Sequence, residues 1–180
     1  MNGLQKIAIA CCTAIVFAFV FELNILLFSS FEFTKGVNWI FVPSGVRLAA
    51  VLVLDVWGAL GIVLGSIGVG YGQYYSGDWI NAVVAGLLSG LSPLLARKFC
   101  NDFLSLKTNL DGLTGSSLLK IAAAFSVISS VMHQVWYVIH GQTQNFLTNT
   151  AVMAVGDFTG TLVVLYAARW VLLRGFRSAR

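Results

Sequence analysis

Residues 39–70 read WIFVPSGVRLAAVLVLDVWGALGIVLGSIGVG, an apolar run interrupted by Pro43, Arg47 and Asp55. Such a run belongs in a lipid bilayer, yet a plain anchor would not carry two ionisable residues. A charge at the bilayer centre costs about 3 kcal/mol or more, so it faces the bundle interior and marks a site. As one straight helix the run would reach about 48 Å, against a hydrocarbon core of about 30 Å. Two short helices with a turn at 54–57 fit better.

The rest of the chain agrees. Hydrophobic residues make up 58% of it and charged residues 10%, where an average soluble domain carries roughly 25% charged. Residues 7–28, 79–96, 118–140 and 151–173 are four further runs long enough to span. Lys6 before the first run imitates a signal peptide, but its apolar core is too long and no small-residue cleavage site follows. With arms at 40–54 and 57–72, the expected fold class is all-α. It is a polytopic transmembrane helical bundle of about six spans, one domain over 1–180, with a short broken hairpin at 39–70.

Charge sets the orientation. Arg97, Lys98, Lys107 and Lys120 flank one loop, and Arg174, Arg177 and Arg180 follow the last span. Basic residues concentrate on the cytoplasmic side, so both termini are expected there. The loops around Lys35, Asp78 and Gln142 then face outward. The net charge of +4 is thereby a matter of topology, and no nucleic-acid partner is implied. Trp39, Tyr71, Tyr74, Tyr75, Trp79, Trp136 and Tyr137 fall near predicted outer ends, where amphipathic rings favour the interface. Cys11 and Cys12 in the first span, and Cys100 in a cytoplasmic loop, read as buried small hydrophobes rather than redox or metal groups. Gly61 and Gly65 form a GxxxG pair that suits close helix packing.

Topology gathers the deep polar residues on one side of the midplane: Glu22 and Asn24, Arg47, Asn81, His133 and Gln134, and Asp157. Two readings stand. Arg47 pairs internally with Asp157 or Glu22 and fixes helix register. Alternatively these groups line a pocket open to the outer face, in which Arg47 meets an anionic group while the carboxylates orient it or bind a cationic one. The break at Pro43-Ser44-Gly45 leaves backbone donors that are tolerable at depth only beside protein or a water-filled cavity. His133 and His140 share a helix face, but no metal-ligand spacing accompanies them, and no metal or cofactor is expected. Ser44 lacks a partnered base, and Gly156-Asp157-Phe158-Thr159-Gly160 is no phosphate loop. The chain is not read as an enzyme.

Three elements together carry a family resemblance: Trp39 with Pro43, Ser44 and Gly45; Trp57 with Gly58 and Gly61; and Gly156, Asp157 and Gly160. Over residues 39–173 the chain resembles the MASE type of bacterial integral-membrane sensor domain. The resemblance implies a bacterial inner-membrane protein that binds a small molecule through its helices and signals. It also implies that Pro43, Gly45, Gly156 and Asp157 shape the site. Such domains usually precede an output domain, and many have about eight spans. Here the sequence stops seven residues past the last span, so a protein partner in the membrane is expected. Candidate ligand-binding residues are therefore Arg47, Asp157, Glu22, His133, Gln134, Pro43, Gly45 and Gly156. The alternative functions are a substrate-capture subunit resembling those of energy-coupling-factor importers, and a structural membrane subunit. The first of these would use Ala10, Ala14 and Ala18 as a docking stripe.

Overall fold

An Asn2–Gln5 capping box opens the first helix. Each side chain accepts the other's backbone N–H at 2.9 Å, satisfying donors that a helix start leaves free. The computed structural model describes residues 2–104 and 114–178. Its helices are α1 (Gly3–Phe28), α2 (Pro43–Val69), α3 (Trp79–Leu104), α4 (Gly115–Ile139) and α5 (Phe146–Ser178). A small antiparallel ribbon, β1 (Glu32–Thr34) and β2 (Val37–Asn38), lies between α1 and α2. Gly36 closes its turn at φ 77°, a conformation that disfavours residues with a Cβ. All five helices are long and apolar enough to cross a membrane. Their outward faces carry exposed Ile15, Phe19, Leu64, Leu91, Val135 and Val163, as expected where the surrounding solvent is lipid.

The decisive local feature is Asp55, which interrupts α2 at φ 54°, ψ −135°. These angles are close to the first central position of a type II′ turn. The chain doubles back there into arms 43–54 and 56–69. A Cβ on Gly58 would overlap the Ala50 carbonyl, although a straight helix would hold these residues about 12 Å apart. Contacts with α1 agree. Val42 donates its N–H to Asn24, near the end of α1, at 2.9 Å. Gly61 and Gly65 lie against Ala10 and Ala14. Gln73, in the π-helical turn Gly70–Tyr74 that extends the second arm, bonds Glu22. Next to the turn, Lys6 lies over the Trp57 ring at 5.3 Å. Both ends of the hairpin thus sit beside the end of α1, and its turn beside the beginning. The expected spans 40–54 and 57–72 correspond to the two arms of α2, which counts as one of five long apolar helices among the described residues.

Other boundaries also move. The run expected to end at 96 continues as α3 to Leu104, because its polar end is used within the bundle. Arg97 donates to the Val51 carbonyl at 3.2 Å and pairs with Asp55. Lys98 pairs with Asp102 one turn on, at 2.9 Å. Cys100 is therefore not in a loop: it is buried with Leu48, Leu52, Ile121 and Phe125 in the core shared by the first arm, α3 and α4. Cys11 and Cys12, expected to be buried, are exposed, because α1 packs mainly on α2 and turns its other faces outward. Lys107 and Arg180 lie outside the described residues.

Residues 39–42 approach the first arm without helical structure, so their backbone needs other partners. Phe41 donates its N–H to the Gly156 carbonyl at 3.1 Å, and the Trp39 carbonyl accepts from the Thr159 hydroxyl at 3.2 Å. A Cβ at Gly156 or Gly160 would overlap the backbone at Asn38 or Phe41. The glycines of the 156–160 motif therefore form a seat for extended chain. Ser44 ties the arm to α5, its hydroxyl 2.7 Å from the Asp157 carbonyl and 3.2 Å from the Thr161 hydroxyl.

Candidate functional site

Arg47 lies one turn into the first arm and is 1% exposed. Its guanidinium collects partners from three helices. Nε donates to the Ser89 carbonyl at 3.1 Å, and Nη2 donates to Ser92 Oγ at 2.7 Å and Ser129 Oγ at 3.1 Å. Its cationic plane lies 5.2 Å from the Phe125 ring centre, a favourable cation–π distance. Pro93 explains why Ser89 offers a carbonyl. In an uninterrupted helix that oxygen accepts from the residue four positions later, and proline has no N–H to give. A proline inside α3 thus creates the acceptor that Arg47 uses.

Asp157 is the ionic partner, its Oδ2 3.9 Å from Arg47 Nη1. The geometry is loose. Both carboxylate oxygens are buried without a hydrogen-bond partner among the described residues, as is Gln134 Oε1. The Gln134 amide reaches only Met153 Sδ, at 3.7 Å. His133 Nδ1 lies 2.8 Å from the Ser129 carbonyl, which can only accept. In the neutral ring Nδ1 therefore carries the hydrogen, and Nε2 accepts from the Ser89 hydroxyl at 3.4 Å.

Arg47, Ser89 and His133 contribute to the wall of a chamber of about 80 Å³, lined also by Phe17, Phe21, Phe41 and Ser66. Gly36, Tyr74, Tyr75 and Tyr137 separate it from a wider vestibule of about 320 Å³. The Tyr75 and Tyr137 hydroxyls lie 3.3 Å apart. Burial raises the pKa of Tyr75, so its phenol stays neutral in this roof. Tyr74 also borders a side groove of about 260 Å³ and so stands where all three spaces meet. At the vestibule rim Asp78 caps α3, accepting from Ile80 N–H, Asn81 N–H and the Asn81 amide. The bonds from Asn81 chiefly hold its carboxyl below the ordinary value.

Of the expected site residues, Arg47, Asp157, His133 and Gln134 are all buried. Arg47 and His133 line the chamber, whereas Asp157 lies behind Arg47 and Gln134 turns to Met153. Glu22 does not join them; it is exposed and bonds Gln73. Pro43, Gly45 and Gly156 are buried packing positions: Gly45 lies against Val164 and Gly160, and Gly156 against Asn38. His140 stacks on Trp136 at the exposed end of α4, ring centres 3.6 Å apart, away from His133. Sequence reasoning missed the serines and Pro93, whose three- and four-residue spacings (89, 92, 93; 126, 129, 130) mark facing stripes on α3 and α4. It placed Tyr74, Tyr75 and Tyr137 near outer helix ends without seeing that they also wall the chamber. No protein-family model, curated protein or solved structure matches this chain.

Proposed function

We propose that this protein is an integral-membrane ligand-binding module of the sensory kind, working through a partner protein. One observation carries the reading: a buried arginine, hydrogen-bonded to α3 and α4 and ion-paired with Asp157 of α5, borders a chamber roofed by tyrosines and adjoining a wide vestibule. A purely structural ion pair needs neither a chamber nor a vestibule. Counting the two arms of α2 separately, the chain crosses six times, with both ends on one side. Arg97, Lys98 and Lys120 lie at that end, which supports a cytoplasmic placement and an outward-facing vestibule. The resemblance to MASE-type sensors fits a bacterial inner-membrane setting.

The importer reading has less support. Its docking stripe on α1 is largely used inside the chain, since Ala10 and Ala14 meet Gly61 and Gly65. Pull-down of the tagged chain from native membranes separates the two. A co-purifying kinase, cyclase or other regulator supports the sensor. A coupling protein with ATPase subunits would replace it with the importer.

A further inference from the structure

Resting on that ligand-binding reading, we infer that the chamber takes a small planar monoanion, a carboxylate or nitrate-like group, held by Arg47. Charge decides the sign. Arg47 is the only charged side chain lining the chamber among the described residues, and no Asp or Glu lines it. A cationic ligand would find no counter-charge there. Asp157 does not exhaust the guanidinium, because it stands 3.9 Å away, beyond hydrogen-bond reach of Arg47. Neutral donors complete the wall. Among the described residues Ser66 Oγ has no hydrogen-bond partner, and the Tyr75 and Tyr137 hydroxyls lie 3.3 Å from each other.

Size and burial narrow the class. The chamber, about 80 Å³, is much narrower than the vestibule or the side groove and suits a compact ligand. A divalent anion would bring two charges to one guanidinium between the Phe17, Phe21 and Phe41 side chains, with a prohibitive desolvation cost. The route inward is neutral: exposed Lys35 lines the vestibule with Asp78 and the side groove with Glu32, so the sign is set by Arg47 in the chamber itself.

The test uses the full chain in lipid nanodiscs. Formate, acetate and nitrate are titrated beside neutral acetamide and cationic methylammonium, with ligand line-broadening as readout. The anions are expected to bind and the other two to fail. Ser66→Leu fills the chamber without touching the Arg47 partners. It should weaken anion binding at least ten-fold while leaving the helical content and melting temperature unchanged. Arg47→Lys keeps the charge but loses the planar fork, and should weaken binding by a similar factor. Anion binding that survives Ser66→Leu would place the anion elsewhere and overturn the proposal. If acetamide or methylammonium binds in a Ser66→Leu-sensitive way and the anions do not, the anion assignment falls and the ligand site stands. If no probe binds, the proposal falls together with the ligand-binding reading for this chamber.

Discussion

Two arginine–aspartate pairs fasten α2, one in each half of the molecule, and they are built oppositely. Arg97 and Asp55 touch closely at the hairpin turn, where their side chains are 25% and 62% exposed. Arg47 and Asp157 are 2% and 0% exposed, yet stand 3.9 Å apart. The exposed pair has geometry and little desolvation to overcome. The buried pair has heavy desolvation, and the arginine meets it through serine hydroxyls and a proline-freed carbonyl rather than through the carboxylate. Close contact is thus a poor guide to energetic weight. The loose pair is the one whose disruption strands a charge.

The largest expected effect separates the pairs directly. Arg47→Ala leaves Asp157 buried and alone, and should cost about 3–5 kcal/mol. Arg97→Ala removes a solvent-screened contact worth about 0–1 kcal/mol. Unfolding in mixed micelles measures both, and equal losses would break the contrast. Next comes Pro93→Ala, which supplies the missing amide and makes Arg47 share the Ser89 carbonyl. Exchange of the Arg47 Nε hydrogen, followed by NMR, should then quicken about five-fold, equivalent to about 1 kcal/mol for one hydrogen bond. Unchanged exchange would show that the proline does not position the arginine.

Asp55→Gly sharpens the other half. It gives up the exposed pair but relieves a left-handed backbone that costs a residue with a Cβ about 1–2 kcal/mol. The protein should end up as stable or about 1 kcal/mol more stable in the same unfolding assay. A clear loss would show that the Arg97 contact outweighs the backbone strain. The smallest effect belongs to Asp78→Asn. The carboxyl of Asp78 is held below its ordinary 3.8, so its contribution is complete above that value and fades as pH falls through the lower folded value. Melting temperatures of the two proteins should differ near neutral pH, begin to converge below about pH 4 and meet in acid below the lowered folded value. A difference that persists there would assign the effect to shape rather than charge.

Much of this architecture was legible because bilayer physics writes long apolar runs. Pro43, Arg47 and Asp55 inside one such run pointed to a break and to a buried site, and the non-helical residue falls within the expected turn at 54–57. Hydropathy does not say which apolar face meets lipid and which meets protein, so Cys11 and Cys12 were misplaced. A tyrosine near a helix end reads alike whether it faces headgroups or a cavity, which hid the roles of Tyr74, Tyr75 and Tyr137. The Ser89 carbonyl was hidden for another reason: it depends on a missing amide at Pro93, which no side-chain pattern displays. Glu22 does lie at the site's end of α1, but it points in another direction around the helix, and depth along a span does not fix that angle.

The seat that Gly156 and Gly160 provide for residues 39–42 has a consequence for biogenesis. The Phe41 amide bonds to α5, which is synthesised after every other described helix. The first arm is tied to the same helix by Ser44, whose hydroxyl bonds the Asp157 carbonyl. Until α5 is inserted, this stretch has an unmatched amide and Arg47 lacks its counter-ion. The site therefore closes only after α5 has been inserted, later than the other described helices.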